Sequence, residues 1–456
     1  MTLGENPSSS AATSDGTPRV SGKVASDSTT DTVDESSDDD AMTPVEEEAD
    51  TTQLKNEEIR KQRHFRSENT FWRALTLPVE ILDLMWYPLK LGLHAGEKHQ
   101  IDVRLQEIFY FNDEHTAGWF PNASIGGELG DAGGIALFHN DLFEKQHEIG
   151  ASFLMAGDEE FDLRGSYMIP ENDTLPFATT LNTEFLRDDE VEIFVATDNP
   201  RRPQLGIDTA KGDETDFTLR TLDTRVTANK DFGDSLQMGL YLRGELSKAS
   251  RTGTTNLTGL DGLNEEIGFA APGVDVSWDR RDDPNRPARG WFLKANVESP
   301  IAPSKTEFGS RYGYYDYSVE GQAILPLHGP HRVLVFTQRF RRVDPFGSTS
   351  VPFYRLPVLD LNNGLRAFER NRFQDRGAIV SNIEYRYPVW RTWDAFLFVD
   401  GGQTFDEYSD VALDKYEYAG GGGVRLLTEQ NLQFLLQVGF GSEGNEVIFS
   451  FERVLN

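Results

Sequence analysis

The sequence predicts an all-β fold, a transmembrane antiparallel β-barrel of about sixteen strands. No stretch offers about 18 consecutive apolar residues, the minimum for a spanning helix. From about Arg104 onward, apolar and polar residues alternate with a period of two, in segments of about ten residues separated by Gly, Asp, Asn and Pro clusters. Aromatic residues make up 11% of the 456 residues, and 41 are glycines, which suits strands, turns and membrane interfaces. If such a chain spans a membrane, it does so as a closed barrel.

Residues 1–62 form the first predicted region, a disordered acidic tail. They are rich in Ser, Thr, Asp and Glu, with the runs DESSDDD and VEEEAD. Too few large apolar side chains are present to offset the entropy lost on ordering. The tail is interpreted as a solvated tether, with an acidic bait for a basic partner as the alternative.

Residues 63–103 form the second region, a short helical segment before the barrel. Pro88 forces a break between one or two short helices. One helical face presents Val79, Leu82 and Trp86. This stripe either packs on the protein itself or, with Trp72 and Tyr87, lies in the membrane interface.

Residues 104–456 form the predicted barrel. In the segment DSLQMGLYLRGE, Leu236, Met238, Leu240 and Leu242 alternate with Gln237, Gly239, Tyr241 and Arg243. The segment NLQFLLQVGFG alternates in the same way. A soluble sandwich also alternates, but its strands tend to be shorter than a tilted membrane span. A wet lumen explains the polar face, which carries Arg164, Asp279, Lys294, Glu320, Glu384 and Arg386.

Composition excludes several classes of function. Seventy-five acidic against 44 basic residues give a net charge of -31, which would repel the phosphates of a nucleic acid. Because the chain has no Cys, disulfide frameworks, thiol catalysis and thiolate metal sites are absent, and no cofactor is predicted. Residues 1–20 show no charged start followed by an apolar stretch, so a secretory signal is not visible, and a cytoplasmic β protein is the alternative location.

A long segment after Val343 contains Leu365-Arg366-Ala367-Phe368, followed by NRFQDRGAIVSNIEYRYPVW. It resembles the inward-folded extracellular loop and the following strand of the BamA/TamA superfamily of bacterial outer-membrane proteins. The family's loop motif is usually Val-Arg-Gly-Phe or Val-Arg-Gly-Tyr, so Ala367 stands where Gly is customary. A methyl group there must fit the site with a negative φ.

Three further segments keep the order of the family. Asp279 to Pro284, with Arg281 and Asp282, resembles its Asp-x-Arg-Asp-Asn/Asp-Pro signature, ahead of a strand that starts at Gly290. The end of a later strand, Val399-Asp400-Gly401-Gly402, is similar to its Asp-x-Gly element. The closing strand, from Gly444 through Phe449 to Phe451, resembles the terminal insertion signal of outer-membrane barrels.

The resemblance implies a lock between loop and wall. An unpaired buried guanidinium is costly, so a loop with Arg366 at its tip can enter the lumen only if carboxylates receive that charge. By resemblance the acceptors are Glu384 and Asp400, with Phe368 beside them. The alternative is an Arg366 exposed on a surface loop.

The implied function is assistance with protein insertion or translocation at the outer membrane, through a weak pairing of the first and last strands. The opening strands contain five glycines, which weaken strands and leave register poorly specified: Gly126, Gly127, Gly130, Gly133 and Gly134. The closing strand is expected to be short. The alternative is that these glycines relieve crowding in a curved barrel.

The expected partners are outer-membrane lipid, unfolded outer-membrane proteins and a periplasmic accessory subunit. Residues 63–103 are too few for the substrate-handling repeats of family assembly factors, so substrate capture is expected to rely on the helical segment, the acidic tail or a separate subunit. A passive pore or transporter, plugged by the inserted loop, is the alternative function. An enzyme is not expected, because the eight His are scattered and no nucleophile motif accompanies them.

Overall fold

The computed structural model describes residues 108–453, except 128, 158, 173, 196–213, 253–258, 285, 303–305, 307–308, 310, 328–331, 391–392 and 428–431. The predicted acidic tail (1–62) and helical segment (63–103) lie outside the described residues and stay predictions. Within the described residues, no helix is long and apolar enough to span a bilayer.

Eighteen strands lie in the described part of the chain. They are β1 (Ala117–Gly127), β2 (Gly130–Leu142), β3 (His147–Ala156), β4 (Glu160–Ile169), β5 (Ala178–Phe194), β6 (Glu214–Phe232), β7 (Leu236–Arg251), β8 (Glu266–Asp279), β9 (Gly290–Glu298), β10 (Tyr314–Pro326), β11 (Val333–Pro345), β12 (Val358–Leu359), β13 (Phe373–Gln374), β14 (Gly377–Trp390), β15 (Trp393–Phe405), β16 (Glu417–Leu427), β17 (Leu432–Gly441) and β18 (Gly444–Arg453). Short 3₁₀ helices span Phe353–Arg355, Tyr408–Asp410 and Leu413–Lys415.

Sixteen of these strands close into one antiparallel barrel, which confirms the predicted fold. Each strand pairs with its neighbour in sequence, except that β11 pairs with β14 and β1 pairs with β18 to close the sheet. β12 and β13 form a separate two-stranded ribbon. A closed sheet has no free edge, so every strand in the wall has a partner on both sides.

The outer face of the wall is apolar and the inner face is polar. One register row crosses six strands with exposed apolar side chains, namely Ile135, Phe153, Leu163, Phe185, Leu222 and Leu246. The adjacent row carries Arg164, Glu184, Asp223 and Glu245. Because successive side chains of a strand point to opposite faces, each strand directs apolar side chains to the lipid outside and polar side chains to the water inside.

Two connections enter the barrel from opposite ends. Residues 346–376, here called the lumen loop, join β11 to β14 and contain the ribbon of β12 and β13. At the other end, residues 280–289 join β8 to β9 and reach across to β14 and β15. Arg286 pairs with Asp394 there, and Arg386 donates to the carbonyl of Pro287.

The main buried cluster lies between the lumen loop and the inner face of β14 to β16. It is formed by Leu359, Leu365, Ala367, Phe368, Phe373, Ala378, Val380 and Ala419. This apolar contact holds the loop inside the barrel beside the polar contacts described next.

Candidate functional site: the lumen loop and the barrel seam

Arg366 of the lumen loop pairs with two carboxylates of the barrel wall. Its Nη2 and Nε donate to the two oxygens of Asp400 at 2.7 and 2.9 Å, and its Nη1 donates to Glu384 Oε2 at 3.3 Å. Asp400 is fully buried, and Asn382 donates to the same carboxylate at 2.7 Å. The guanidinium also lies over the ring of Phe398, 3.7 Å from its centroid. The forked geometry fixes the orientation of the loop tip as well as its charge.

The loop tip is seated against glycines of β17. Phe368 is almost completely buried, and Ala367 has a negative φ and is buried too. A Cβ at Gly439 would lie 2.0 Å from the carbonyl oxygen of Arg366, and one at Gly441 would lie 3.2 Å from the side chain of Ala367. The alanine in place of the customary glycine therefore fits, because the facing strand provides the space.

Three further arginines tie the lumen loop to the wall, and sequence reasoning missed all of them. Arg355 Nε donates to Glu245 of β7 at 2.9 Å, and Arg370 lies 3.5 Å from Asp188 of β5. Arg372 makes two hydrogen bonds, of 2.6 and 2.7 Å, to Glu443 in the turn between β17 and β18. The high density of arginine in one loop of an acidic chain is the signal that could have found them.

The seam between β1 and β18 is the least paired contact in the wall among the described residues. Only three register pairs join the two strands, Ala123–Phe451, Ser124–Ser450 and Ile125–Phe449. Nine pairs join β1 to β2 and ten join β17 to β18. The seam thus closes the barrel through a short ladder of register pairs.

The closing strand is short, as the sequence indicated. β18 has ten residues, and only β9, with nine, is shorter among the sixteen strands of the wall. The weak seam also arises from the limited overlap of β18 with β1. Gly126 has a φ of +67° and would place a Cβ 2.8 Å from the carbonyl oxygen of Val447. At Gly134 a Cβ would lie 1.8 Å from the carbonyl oxygen of Phe153, so this glycine relieves crowding, as the alternative proposed.

The aromatic residues of the terminal strand lie beside the seam. Phe449 and Phe451 are partly exposed, and the Phe449 ring packs edge-on to Phe434 at 5.5 Å. Gly444 opens the strand at a φ of +149°, next to the turn that contains Glu443. The terminal signal residues therefore share one hairpin with the partner of Arg372.

The signature segment stabilises itself at the other end of the barrel. Asp279 accepts Arg281 Nη2 at 2.6 Å and the Arg281 amide at 2.9 Å, while Asp282 accepts the amide of Ala288 at 2.9 Å. Gly290 has a φ of +109°, and a Cβ there would lie 2.2 Å from the carbonyl oxygen of Arg280. Only glycine suits this turn without strain.

Four of the residues that the sequence resemblance selected line one cavity. Arg281 and Pro284 line a lumen cavity of about 650 Å³ together with Arg366 and Glu384. Gly402 lies on the loop side instead, where a Cβ would be 3.1 Å from Leu359. No group of three or more His, Asp and Glu residues in the described ranges is placed to hold a metal ion.

Residues 270–432 match the model of the Omp85 superfamily domain. This span contains the signature segment, the lumen loop and both carboxylates of the lock. The chain thus contains an Omp85 superfamily domain within its barrel. A domain of this superfamily indicates a protein of the bacterial outer membrane.

The comparison with solved structures finds similar folds at low sequence identity. BamA from Haemophilus ducreyi lacking POTRA domains 1–3 is 12% identical, with a TM-score of 0.52, over 74% of this chain and 69% of that one. CdiB from Acinetobacter baumannii is 11% identical, with a TM-score of 0.47, over 73% of this chain and 59% of that one. CdiB from Escherichia coli is 10% identical, with a TM-score of 0.48, over 73% of this chain and 62% of that one. The match spans about three fifths of either CdiB chain. No curated protein sequence matches the chain.

In this barrel the cavity reaches from the Arg366 lock to the seam. Ser124 of β1 and Ser450 of β18 line it, as do Gln437 and Leu361. The lumen loop, the arginine lock and the weakly paired strands therefore border one internal space.

Proposed function

We propose that this Omp85 barrel assists the insertion or translocation of proteins at the outer membrane by opening its seam sideways. The observation that supports the proposal is the three-pair contact between β1 and β18 in a wall whose other described contacts are longer. An open seam exposes backbone N–H and C=O groups, which are unfavourable in lipid unless an incoming strand pairs with them. The edge then templates strand addition, without catalysis by side chains.

The substrates in this proposal are unfolded outer-membrane proteins, delivered by a periplasmic accessory subunit to a barrel embedded in lipid. The lumen loop supports it by holding one half of the seam. Arg372 donates two hydrogen bonds to Glu443 in the turn of the β17–β18 hairpin. The loop tip packs on Gly439 and Gly441 of β17. We infer that the hairpin stays with the loop while β1 separates from it.

A disulfide across the seam tests the proposal. The natural chain has no cysteine, so a Ser124→Cys/Ser450→Cys pair joins β1 to β18 at a register pair without competing thiols. In liposomes containing the purified protein, oxidation is expected to slow the folding of an added unfolded barrel protein at least fivefold, and reduction is expected to restore it.

The matched control shares one of the two cysteines. A Leu435→Cys/Ser450→Cys pair joins β17 to β18, which the proposal keeps together, and its oxidation is expected to leave client folding unchanged. Equal client folding with the seam disulfide formed would contradict lateral opening. Equal inhibition by both pairs would point to a general effect of oxidation on the barrel.

The alternative is a passive pore with the loop as plug. The lumen loop and residues 280–289 occupy opposite ends of the lumen, and both are held by buried ion pairs, which favours a closed barrel over a stable channel. Conductance in planar bilayers separates the two: large stable openings would favour the pore, and a closed or flickering barrel that accelerates client folding would favour the insertase.

A further inference from the structure

Three arginines converge on one carboxylate at the inner face of β14 to β16. Arg425 Nη2 donates to Glu384 Oε1 at 2.7 Å, and Arg366 Nη1 donates to Glu384 Oε2 at 3.3 Å. Arg386 Nε also lies 3.5 Å from Glu384 Oε1, which is an ion pair without a hydrogen bond. A single carboxylate therefore faces three guanidinium groups.

The neighbouring carboxylates are already engaged. Asp400 receives two hydrogen bonds from the guanidinium of Arg366, one from the backbone amide of Arg366 and one from Asn382. Asp394 receives two from Arg286, at 2.5 and 2.8 Å. The four arginines 286, 366, 386 and 425 thus face three carboxylates, 384, 394 and 400, and the cluster carries one positive charge in excess.

Arg386 is the member of the cluster with the least compensation. Its side chain is only 8% exposed, and its Nε has no hydrogen-bond partner among the described residues. Its Nη1 reaches the carbonyl of Pro287 at a long 3.4 Å. A buried guanidinium in this position favours an anion beside it, because a water molecule can accept a hydrogen bond but cannot neutralise the charge.

We propose that the lumen cavity binds a small oxyanion, a phosphate or carboxylate group, between Arg386 and Arg425. Both side chains line the cavity of about 650 Å³, which also borders Pro287 and Phe396. Planar guanidinium groups match the oxygens of such anions in a forked geometry. On the opposite wall, by contrast, Arg164 has both Asp162 and Glu184 as partners. Anion binding at this site requires neither an open seam nor the proposed insertion of proteins.

Inorganic phosphate is the probe for a first test. Purified wild-type protein in detergent, at constant ionic strength, is titrated with phosphate while the thermal midpoint of barrel unfolding is followed by electrophoretic mobility. A saturable rise of the midpoint is expected, because a ligand that binds the folded state stabilises it. Acetate, added in a second titration, shows whether a carboxylate is accepted as well as a phosphate.

Two variants locate the site. Arg386→Gln and Arg425→Gln are each expected to weaken phosphate binding at least about tenfold, since each removes a charged donor. Arg289→Gln is the control: this side chain is 77% exposed, on the same turn segment as Arg286, and should leave the titration unchanged. Arg425 is the less buried of the two, so its variant remains informative if Arg386→Gln does not fold.

Three outcomes would overturn the proposal. The first is a wild-type midpoint that does not respond to either anion. The second is a response that rises without saturation, as a general salt effect does. The third is a response equal in wild type, Arg425→Gln and Arg289→Gln, which would place the anion elsewhere.

Discussion

At the scale of single residues, the position of the lumen loop depends on the pairing of Arg366 with Asp400 and Glu384. Arg366→Lys keeps the charge but cannot reach both oxygens of Asp400 and also Glu384. We expect the variant to lose about 2 kcal/mol of stability, as hydrogen bonds between charged groups contribute, and to lower the thermal midpoint of barrel unfolding. Arg289→Lys, at an exposed position, is the control. An unchanged midpoint for Arg366→Lys would show that the fork does not stabilise the loop.

Asp375, near the end of the lumen loop, gives a pH dependence. Burial, together with the nearby charge of Asp406, raises the pKa of Asp375 to about 6. Between the ordinary value near pH 4 and pH 6, the folded chain binds more protons than the unfolded one. The free energy of unfolding therefore falls as pH rises from about 4 to about 6. Above pH 6 Asp375 is ionised in both states, and the full cost of burying its charge destabilises the folded protein.

Asp375→Asn removes this penalty and is expected to be more stable than wild type at pH 7.5. The stabilities of the two proteins should converge at about pH 3 and below, where Asp375 is protonated in both the folded and the unfolded state. An asparagine oxygen can still accept the amide of Arg376, as Asp375 does at 2.7 Å. Thermal midpoints at both pH values check this, with Asp414→Asn at an exposed site as control. A difference that is the same at both pH values would exclude titration of Asp375 as its cause.

Sequence reasoning reached some of these residues and not others. Arg366, Glu384 and Asp400 were predicted together because the loop motif and two strand registers pointed at one another. The pairs Arg355–Glu245 and Arg372–Glu443 were not, because either arginine could pair with many of the 75 acidic residues until the path of the loop is known. Long-range side-chain pairing depends on that path and leaves little periodic signal in the sequence.

At the scale of elements, Arg372 and Glu443 couple the lumen loop to the closing hairpin. The Arg372 side chain is 2% exposed and lies over the rings of Phe373 and Phe194, at 4.5 and 4.8 Å. Glu443→Gln leaves this guanidinium buried without its carboxylate, so it is expected to destabilise the barrel more than the Arg372→Gln/Glu443→Gln double variant does.

A double-mutant cycle on stability measures this coupling, which we expect at about 1–3 kcal/mol for contacting residues. The same cycle on Arg376 and Asp406, which are 36% and 53% exposed, is the comparison and should give at most about 1 kcal/mol. Additive effects of Arg372→Gln and Glu443→Gln would mean that the hairpin is not held by this pair.

The strands themselves were predicted more fully than their connections. The period-two pattern predicted the approximate count of sixteen strands, and it predicted which side chains lie on the outer and inner faces of the wall. In β7, for example, Met238, Leu240 and Leu242 are exposed and Tyr241 is buried. The overlap between β1 and β18 was not predictable in the same way. It depends on how the ends of the sheet meet on closure, which the alternation within one strand does not encode.

At the scale of the whole molecule, the number of register pairs between neighbouring strands varies around the barrel. Hydrogen exchange can measure the consequence for local stability. Sixteen register pairs join β6 to β7, whereas three join β1 to β18. The cavity that borders Ser124 and Ser450 offers water a route to the inner side of the seam. Local opening should therefore occur at the seam with much lower free energy than in the long strands.

Within β18 this predicts an alternating pattern, because successive amides of an antiparallel strand point to its two neighbours. Amides that face β1 should exchange early, whereas those that face β17 should stay protected, since ten register pairs hold that side. Residue-resolved exchange of the protein in lipid nanodiscs checks the pattern, and the Ser124→Cys/Ser450→Cys disulfide should slow the early set selectively. If both sets of β18 amides are as protected as those between β6 and β7, the seam is not the weak point of the barrel. In that case an incoming strand would need another entrance.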